Sequence, residues 1–446
     1  MLLDICIYLL VVCPASSPSS RLPRFLFCLG TCAVSAELSV YRQPGFLPFL
    51  VARVLAMFAV QIIAVVVAWQ VYELTRDPMS LAYVGLAQFL PMLLLLLPAG
   101  DLIDRFDRKW ILGLSWAVEA LCAAGLFWLS LTRGPVQAFY LILVLYGCAR
   151  AFTGPALSSL LPQIVPRERL AAAIAANSMI VRASTISGPV LGGLLYAAGG
   201  GELTYAVCLL LFMAGVSMLA LVQVLFREDV RPLETTAWKR FTAGIHFIRS
   251  RPIILGTISL DLFAVLLGGV VALLPIYAHE VLQVGPTGLG LLRSAMAIGE
   301  VAVGFYLSLR PFNRHVGMTM FIAVAVFGVA NLVFSLSSLF WLSFAALMVA
   351  GGADMVSMYI RSSLVQFSTP DVMRGRVNAV NMLFIGSSNE LGEFRAGSSA
   401  AWFGAVPAAV LGSLCTLGVV GGWMWGFRSL RNVDRFEDAA ADAGRR

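Results

Sequence analysis

A set of charged side chains lies inside long apolar runs of the chain: Glu119, Arg150, Arg182, Asp261, Glu300, Asp354, Glu390, Glu393 and Arg395, with Arg293 and Arg361 nearer the ends of theirs. A charge at the centre of a lipid-crossing helix costs about 2.5–3.5 kcal/mol on insertion scales, so each of these needs a partner or a wet cavity. A carboxylate that faces such a cavity can exchange a proton. Glu390 and Glu393 share a helix face at i,i+3 spacing and, with Arg395, form a dense polar group. That group can bind a cationic or hydrogen-bonding substrate, or it can be a charge network bracing the helices with Arg293 or Arg361. Asp354 can pair with Arg361, and Glu300 sits two turns from Arg293, where packing is its expected role. Other chemistry is not indicated. The chain has no Gly-x-x-x-x-Gly-Lys-Ser/Thr phosphate loop and no Ser/His/Asp constellation. Its eight cysteines include no Cys-x-x-Cys pair, and His246, His279 and His315 show no ligand spacing. No enzyme, metal site or cofactor is expected.

The elements that must carry these charges are membrane helices. Of the 446 residues, 59% are hydrophobic and only 12% charged, against about a quarter charged in soluble domains. The apolar runs predict spans at 46–74, 80–103, 109–131, 136–160, 169–197 and 203–226, then at 252–278, 286–309, 316–337, 340–367, 377–401 and 404–427. The expected fold is therefore all-α, twelve transmembrane helices in two six-helix halves, 44–226 and 252–427. A basic connector (227–251) joins them and a polar tail (428–446) follows. Residues 1–43, with a short apolar run at Leu2–Cys13 and a Ser/Pro-rich stretch behind it, read as a dispensable extension or a short membrane-associated segment.

Charge sets the orientation. Loops after even-numbered spans carry Arg105/Arg108/Lys109, Arg167/Arg169, the connector, Arg310/Arg314, Arg374/Arg376 and Arg428/Arg431, whereas loops after odd-numbered spans carry only Arg76 and Arg133. The positive-inside rule places both termini and the connector in the cytoplasm and explains the net charge of +7 without nucleic acid. The tightest of these turns is Gly100-Asp101-Leu102-Ile103-Asp104-Arg105-Phe106-Asp107-Arg108-Lys109. Its cations hold it at the cytoplasmic face, Asp104 can pair with an arginine or a helix dipole, and Gly100 permits a close helix approach.

This turn resembles the signature loop of the major facilitator superfamily, Gly-x-x-x-Asp-Arg-x-x-Arg-Arg/Lys, matched by Gly100, Asp104, Arg105, Arg108 and Lys109. Asp107 stands where the superfamily usually has glycine. The counterpart turn, Arg310-Pro311-Phe312-Asn313-Arg314-His315, keeps the bases and lacks the acid. Gly188-Pro189-x-x-Gly192-Gly193 resembles the superfamily's antiporter motif. Trp69–Thr75, Leu86–Pro91, Ala149-Arg150-Ala151-Phe152-x-x-Pro155-Ala156, Arg374–Asn381 and Ser388–Gly397 resemble one branch of it, the enterobactin-exporter-like transmembrane secretion effectors.

The resemblance implies a secondary transporter of the bacterial inner membrane, monomeric, using protons and no cofactor. It would export small amphipathic molecules such as siderophores or drugs by rocking one half against the other. Arg150 would be the buried arginine associated with proton coupling. Asp261 and Asp354, on cavity-lining spans, are coupling candidates, unless Asp354 is bound structurally to Arg361. Glu119, on a peripheral span, would be structural, and Trp69 and Tyr72 would be interfacial anchors. Gly188, Pro189, Gly192 and Gly193 would hinge the extracellular seal. An importer or uniporter on the same fold, or a membrane sensor or assembly protein that transports nothing, are the alternatives.

Overall fold

The computed structural model describes residues 40–41, 43–225 and 237–438, so the extension before residue 40, part of the connector and the last residues of the tail lie outside it. The described chain is helical throughout. The helices are α1 (Phe46–Thr75), α2 (Pro78–Arg105), α3 (Arg108–Thr132), α4 (Val136–Ile164), α5 (Leu170–Ala220), α6 (Ala237–Ser250) and α7 (Pro252–Gly268). They continue with α8 (Gly285–Leu309), α9 (Val316–Leu336), α10 (Phe340–Ser368), α11 (Asp371–Phe403), α12 (Ala405–Gly426) and a short α13 (Arg428–Arg431). Ten described helical stretches are long and apolar enough to cross a membrane, and the protein is a multi-pass membrane protein. The 33-residue α11 is not among them because its apolar residues are interspersed with Asn, Ser, Gly and Glu, although about 20 helical residues suffice for a crossing.

Helix ends follow local chemistry. Asp77 caps α2, accepting from Met79 N at 2.9 Å, with Pro78 at the first helical position. Asp107 caps α3, accepting from Lys109 N at 2.9 Å. The acid that replaces the superfamily's usual glycine thus starts the next helix. Arg76 and Arg133 end α1 and α3 in the left-handed region, at φ 54° and 50°.

The 51-residue α5 is a hairpin. At Gly199 and Gly200 the backbone leaves helical geometry, Gly200 at φ 62°. Before the break the chain climbs α1: Gly188 lies on Gln61, Gly192 on Ile62, and Tyr196 donates to Glu73 at 2.6 Å. After it the chain descends: Gly201 lies on Gln70, Cys208 on Ala59, Gly215 on Ala52, and Gln223 on Gly45. A helix and its reversal share α1 as their packing partner.

α7 also departs from the single rod expected over 252–278. It stops at Gly268, and residues 271–281 continue as short 3-10, α and π turns. The carbonyls freed at the break are taken by neighbours, as buried backbone acceptors must be. Arg395 donates to Leu266 O and Gly269 O at 3.1 and 3.2 Å and Asn331 to Gly268 O at 3.3 Å, while Thr416 reaches Ala264 O, still within the helix, at 3.0 Å. The connector holds a helix, α6, whose Phe241, Ile245 and Ile248 pack with Val377 and Val380 of α11.

The N-terminal helices (α1–α5) and the C-terminal helices (α7–α12) meet most closely at the end that carries the Arg76 turn. There Gly193 abuts Pro286, Gly290 abuts Pro189 and Gly397 abuts Ala82, each with no room for a Cβ. Toward the Arg105 end, a Cβ on Gly100, Gly375 or Gly386 would meet nothing within 4 Å. The close approach expected at Gly100 is therefore not made in this arrangement of the helices.

Candidate functional site

Between the two groups of helices lies a cavity of about 440 Å³, lined from α1, α5, α7, α8, α9, α10 and α11. Its acids are Asp261, Glu300, Asp354, Glu390 and Glu393, and its arginines Arg293 and Arg361. Gln61, Thr185, Asn331 and Asn389 add neutral polar groups, with Met296, Phe327 and Met358 among the apolar ones.

The buried charges pair across helices. Asp261 of α7 forms an ion pair with Arg361 of α10, the side chains 7% and 5% exposed. The Asp354–Arg361 pair suggested by sequence spacing is thereby corrected: a partner on a packed neighbour lies nearer than one two turns along the same helix. Glu300 of α8, expected in a packing role, pairs with Arg182 of α5 at 2.6 Å. Asp354 stands in the field of both Glu300 and Arg182. Arg293 instead donates to Ala64 O of α1 at 3.1 Å and faces Glu390 and Glu393.

Arg150 of α4 also feels Glu390 and Glu393, and its guanidinium lies 6.0 Å from the Tyr146 ring centroid. Arg395 is removed from this group. It is committed to the α7 carbonyls at the helix break, so the polar cluster predicted over 390–395 divides into a cavity-facing carboxylate pair and a structural arginine.

Glu119 lies on the inward face of α3, whose other face exposes Trp110, Leu114, Leu121 and Trp128. It is fully buried, accepts from Thr153 Oγ1 at 2.8 Å, and lies in the fields of Arg150 and Arg53. Arg53 was missed, although a lone arginine seven residues into α1 is visible in the sequence.

The signature turn is held by backbone carbonyls. Arg108 donates to Ser159 O of α4 at 3.2 Å, and Lys109 Nζ to Ala220 O and Val222 O at 2.9 and 2.7 Å. Arg105 is exposed in the last turn of α2, and the Asp104 side chain lies outside the described residues. At the counterpart turn the chain's own tail contributes an acid: His315 N donates to Asp434 Oδ1 at 2.9 Å, and Val316 N to Asp434 O at 3.1 Å.

The closed Arg76 end has contacts that sequence reading did not find. Tyr72 donates to Glu280, Arg76 to the His279 ring (2.8 Å to Nδ1), and Trp69 packs against that ring at 5.5 Å. Trp69 and Tyr72 are 5% and 1% exposed, which makes them seam residues and not anchors in lipid. Gly188 and Gly192 face α1, and Gly193 alone of that motif's glycines meets α8.

An all-helical membrane bundle around a charged internal cavity is the build of a solute transporter. The fold is found in solved transporters. A bacterial homologue of the human lysosomal transporter Spinster, inward-facing and unoccupied, superposes with a TM-score of 0.67 at 15% identity, covering 92% of this chain and 98% of that one. The nucleoside transporter NupG gives 0.65 at 12% identity, with coverages of 86% and 99%. A bacterial ferroportin homologue in an inward-facing state gives 0.64 at 18%, with coverages of 85% and 98%. Residues 35–443 match the model of the transmembrane secretion effectors, and the chain belongs to that family of major facilitator transporters; it is not an enzyme. Among its relatives, the enterobactin exporter EntS of Shigella dysenteriae serotype 1 (strain Sd197) is 25% identical over 346 residues, spanning 76% of this chain and 81% of the relative. That of Citrobacter koseri is 26% identical over the same length.

Proposed function

We propose that the protein is a proton-coupled exporter of small amphipathic molecules, siderophores or drug-like metabolites, in the bacterial inner membrane. The observation that carries this reading is the cavity: ion-paired acids and arginines enclosed between two groups of helices that are joined at one end and apart at the other. Counting α5 as two crossings and α11 as one gives twelve, in halves 44–226 and 252–427. With the positive-inside bias, both termini and the Arg105 turn are cytoplasmic, so this arrangement is open inward.

Alternating access then follows from rocking the halves. Pro189 and Gly193 meet α8 in the outer seam while Gly188 and Gly192 seat the same helix on α1, and Gly100, Asp104, Arg105, Arg108 and Lys109 are the inner latch that closes when the cavity opens outward. Gly100 gains its close neighbour only then. Asp261, Asp354, Glu390, Glu393 and Arg150 are the candidates for coupling or substrate contact, and Arg395 holds α7 in place beside them. A single chain encloses the whole cavity, which suits a monomer. The similarity to enterobactin exporters supports export and a siderophore-sized substrate.

Everted membrane vesicles with an imposed proton gradient test the reading. Uptake of a catecholate siderophore or a lipophilic dye, driven by acid interior and abolished by a protonophore, is expected. Net movement in the opposite direction points to an importer on the same fold. No flux of any candidate, with flux equally absent from Asp354→Asn vesicles, favours a non-transporting membrane protein.

A further inference from the structure

Resting on that reading, the Arg182–Glu300 pair assigns a proton site that joins binding to movement. Glu300 belongs to α8 and Asp354 to α10, and both line the cavity. The two helices pack with backbones in contact beside these acids: a Cβ on Gly299 would lie 2.8 Å from Gly352 N, and one on Gly352 2.8 Å from Val303 Cγ2. Glu300 and Asp354 therefore travel together. Arg182 comes from α5, in the other group of helices, and reaches Glu300 at 2.6 Å across the seam.

Two carboxylates held close together cannot both stay charged without a counterion. Arg182 is that counterion only while α5 and α8 are joined. We propose that Glu300 and Asp354 share one transported proton, bound when the outer seam opens and carries Arg182 away, and expelled when the seam closes and Arg182 returns. The proton belongs to the pair and not to either acid. It binds from the outside and leaves to the inside, the direction that drives export.

The other charged groups facing this site are engaged elsewhere. Arg361 of α10 is held by Asp261 of α7. Arg293 of α8 faces Glu390 and Glu393 of α11, as does Arg150 of α4. The restored ion pair is thus the local event that answers the presence or absence of the proton. Glu300→Gln imitates the protonated state. Asp354→Asn removes the carboxylate that shares the proton with Glu300.

The test uses the full chain in lipid nanodiscs, with spin labels on the α3–α4 and α9–α10 turns and the proton as the only ligand. Acidification should lengthen the distance between these turns in the wild type. Glu300→Gln should show the long distance at every pH, and Asp354→Asn should move the titration midpoint down by about one pH unit or more. If both variants titrate like the wild type, the assignment falls while the transporter reading stands. A wild type that keeps one distance at every pH, and also moves no solute in vesicles, overturns both.

Discussion

At the scale of single residues, buried charges identify themselves, but their partners do not. Asp261 and Arg361 are both almost wholly enclosed and hold α7 to α10. Removing one partner of such a pair leaves an uncompensated charge, at a cost of about 3–5 kcal/mol. Asp261→Ala is therefore expected to lower the thermal midpoint of the detergent-solubilised protein sharply, and Arg361→Met placed beside it should recover most of the loss. A double variant as unstable as the single one would show that the two side chains act separately. The charged positions were legible because lipid excludes them from apolar runs. Which face of its helix each one occupies was not, since that depends on how neighbouring helices are rotated. Hence Arg361 answers Asp261 and not Asp354, and Arg395 serves the carbonyls of a broken helix although it adjoins two cavity acids.

The elements were legible in their apolar runs. Asp77 and Asp107 cap helices in the structure, and most spans predicted from the apolar runs agree with the helices to within a few residues. One interruption was legible and one was hidden: the reversal at Gly199 and Gly200 falls between the spans expected at 169–197 and 203–226, whereas the break after Gly268 lies inside an apolar run that reads as continuous helix. Seam packing is the element-scale property most open to trial. Gly193 and Gly290 meet the carbonyls of Pro286 and Pro189 reciprocally, with no space for a side chain. Gly193→Leu should wedge α5 from α8 at the Arg76 end. A cysteine at Thr287 should then react faster with a membrane-impermeant maleimide added from outside, about tenfold or more if the seam gives up about 1.4 kcal/mol. An unchanged rate would mean that the helices accommodate the side chain without parting.

For the whole molecule, composition and loop charge were enough to foresee a helical membrane bundle, and the cavity between its two groups of helices needed the structure. The most polar of the long helices, α11, lies in the thick of that bundle. It touches α2 at Ala82, α6 through Val377 and Val380, and α7 at Leu266. A segment carrying Arg374, Arg376, Glu390, Glu393 and Arg395 is a poor candidate for entering lipid unaided, where each central charge costs about 2.5–3.5 kcal/mol. Membrane entry of residues 371–403 then depends on helices made earlier, α2 and α7, which offer the segment's polar face a berth. Glycosylation mapping in microsomes would show it, the isolated segment failing to integrate and the same segment integrating when the preceding chain is present. Efficient integration of the segment alone would mean that this helix needs no escort.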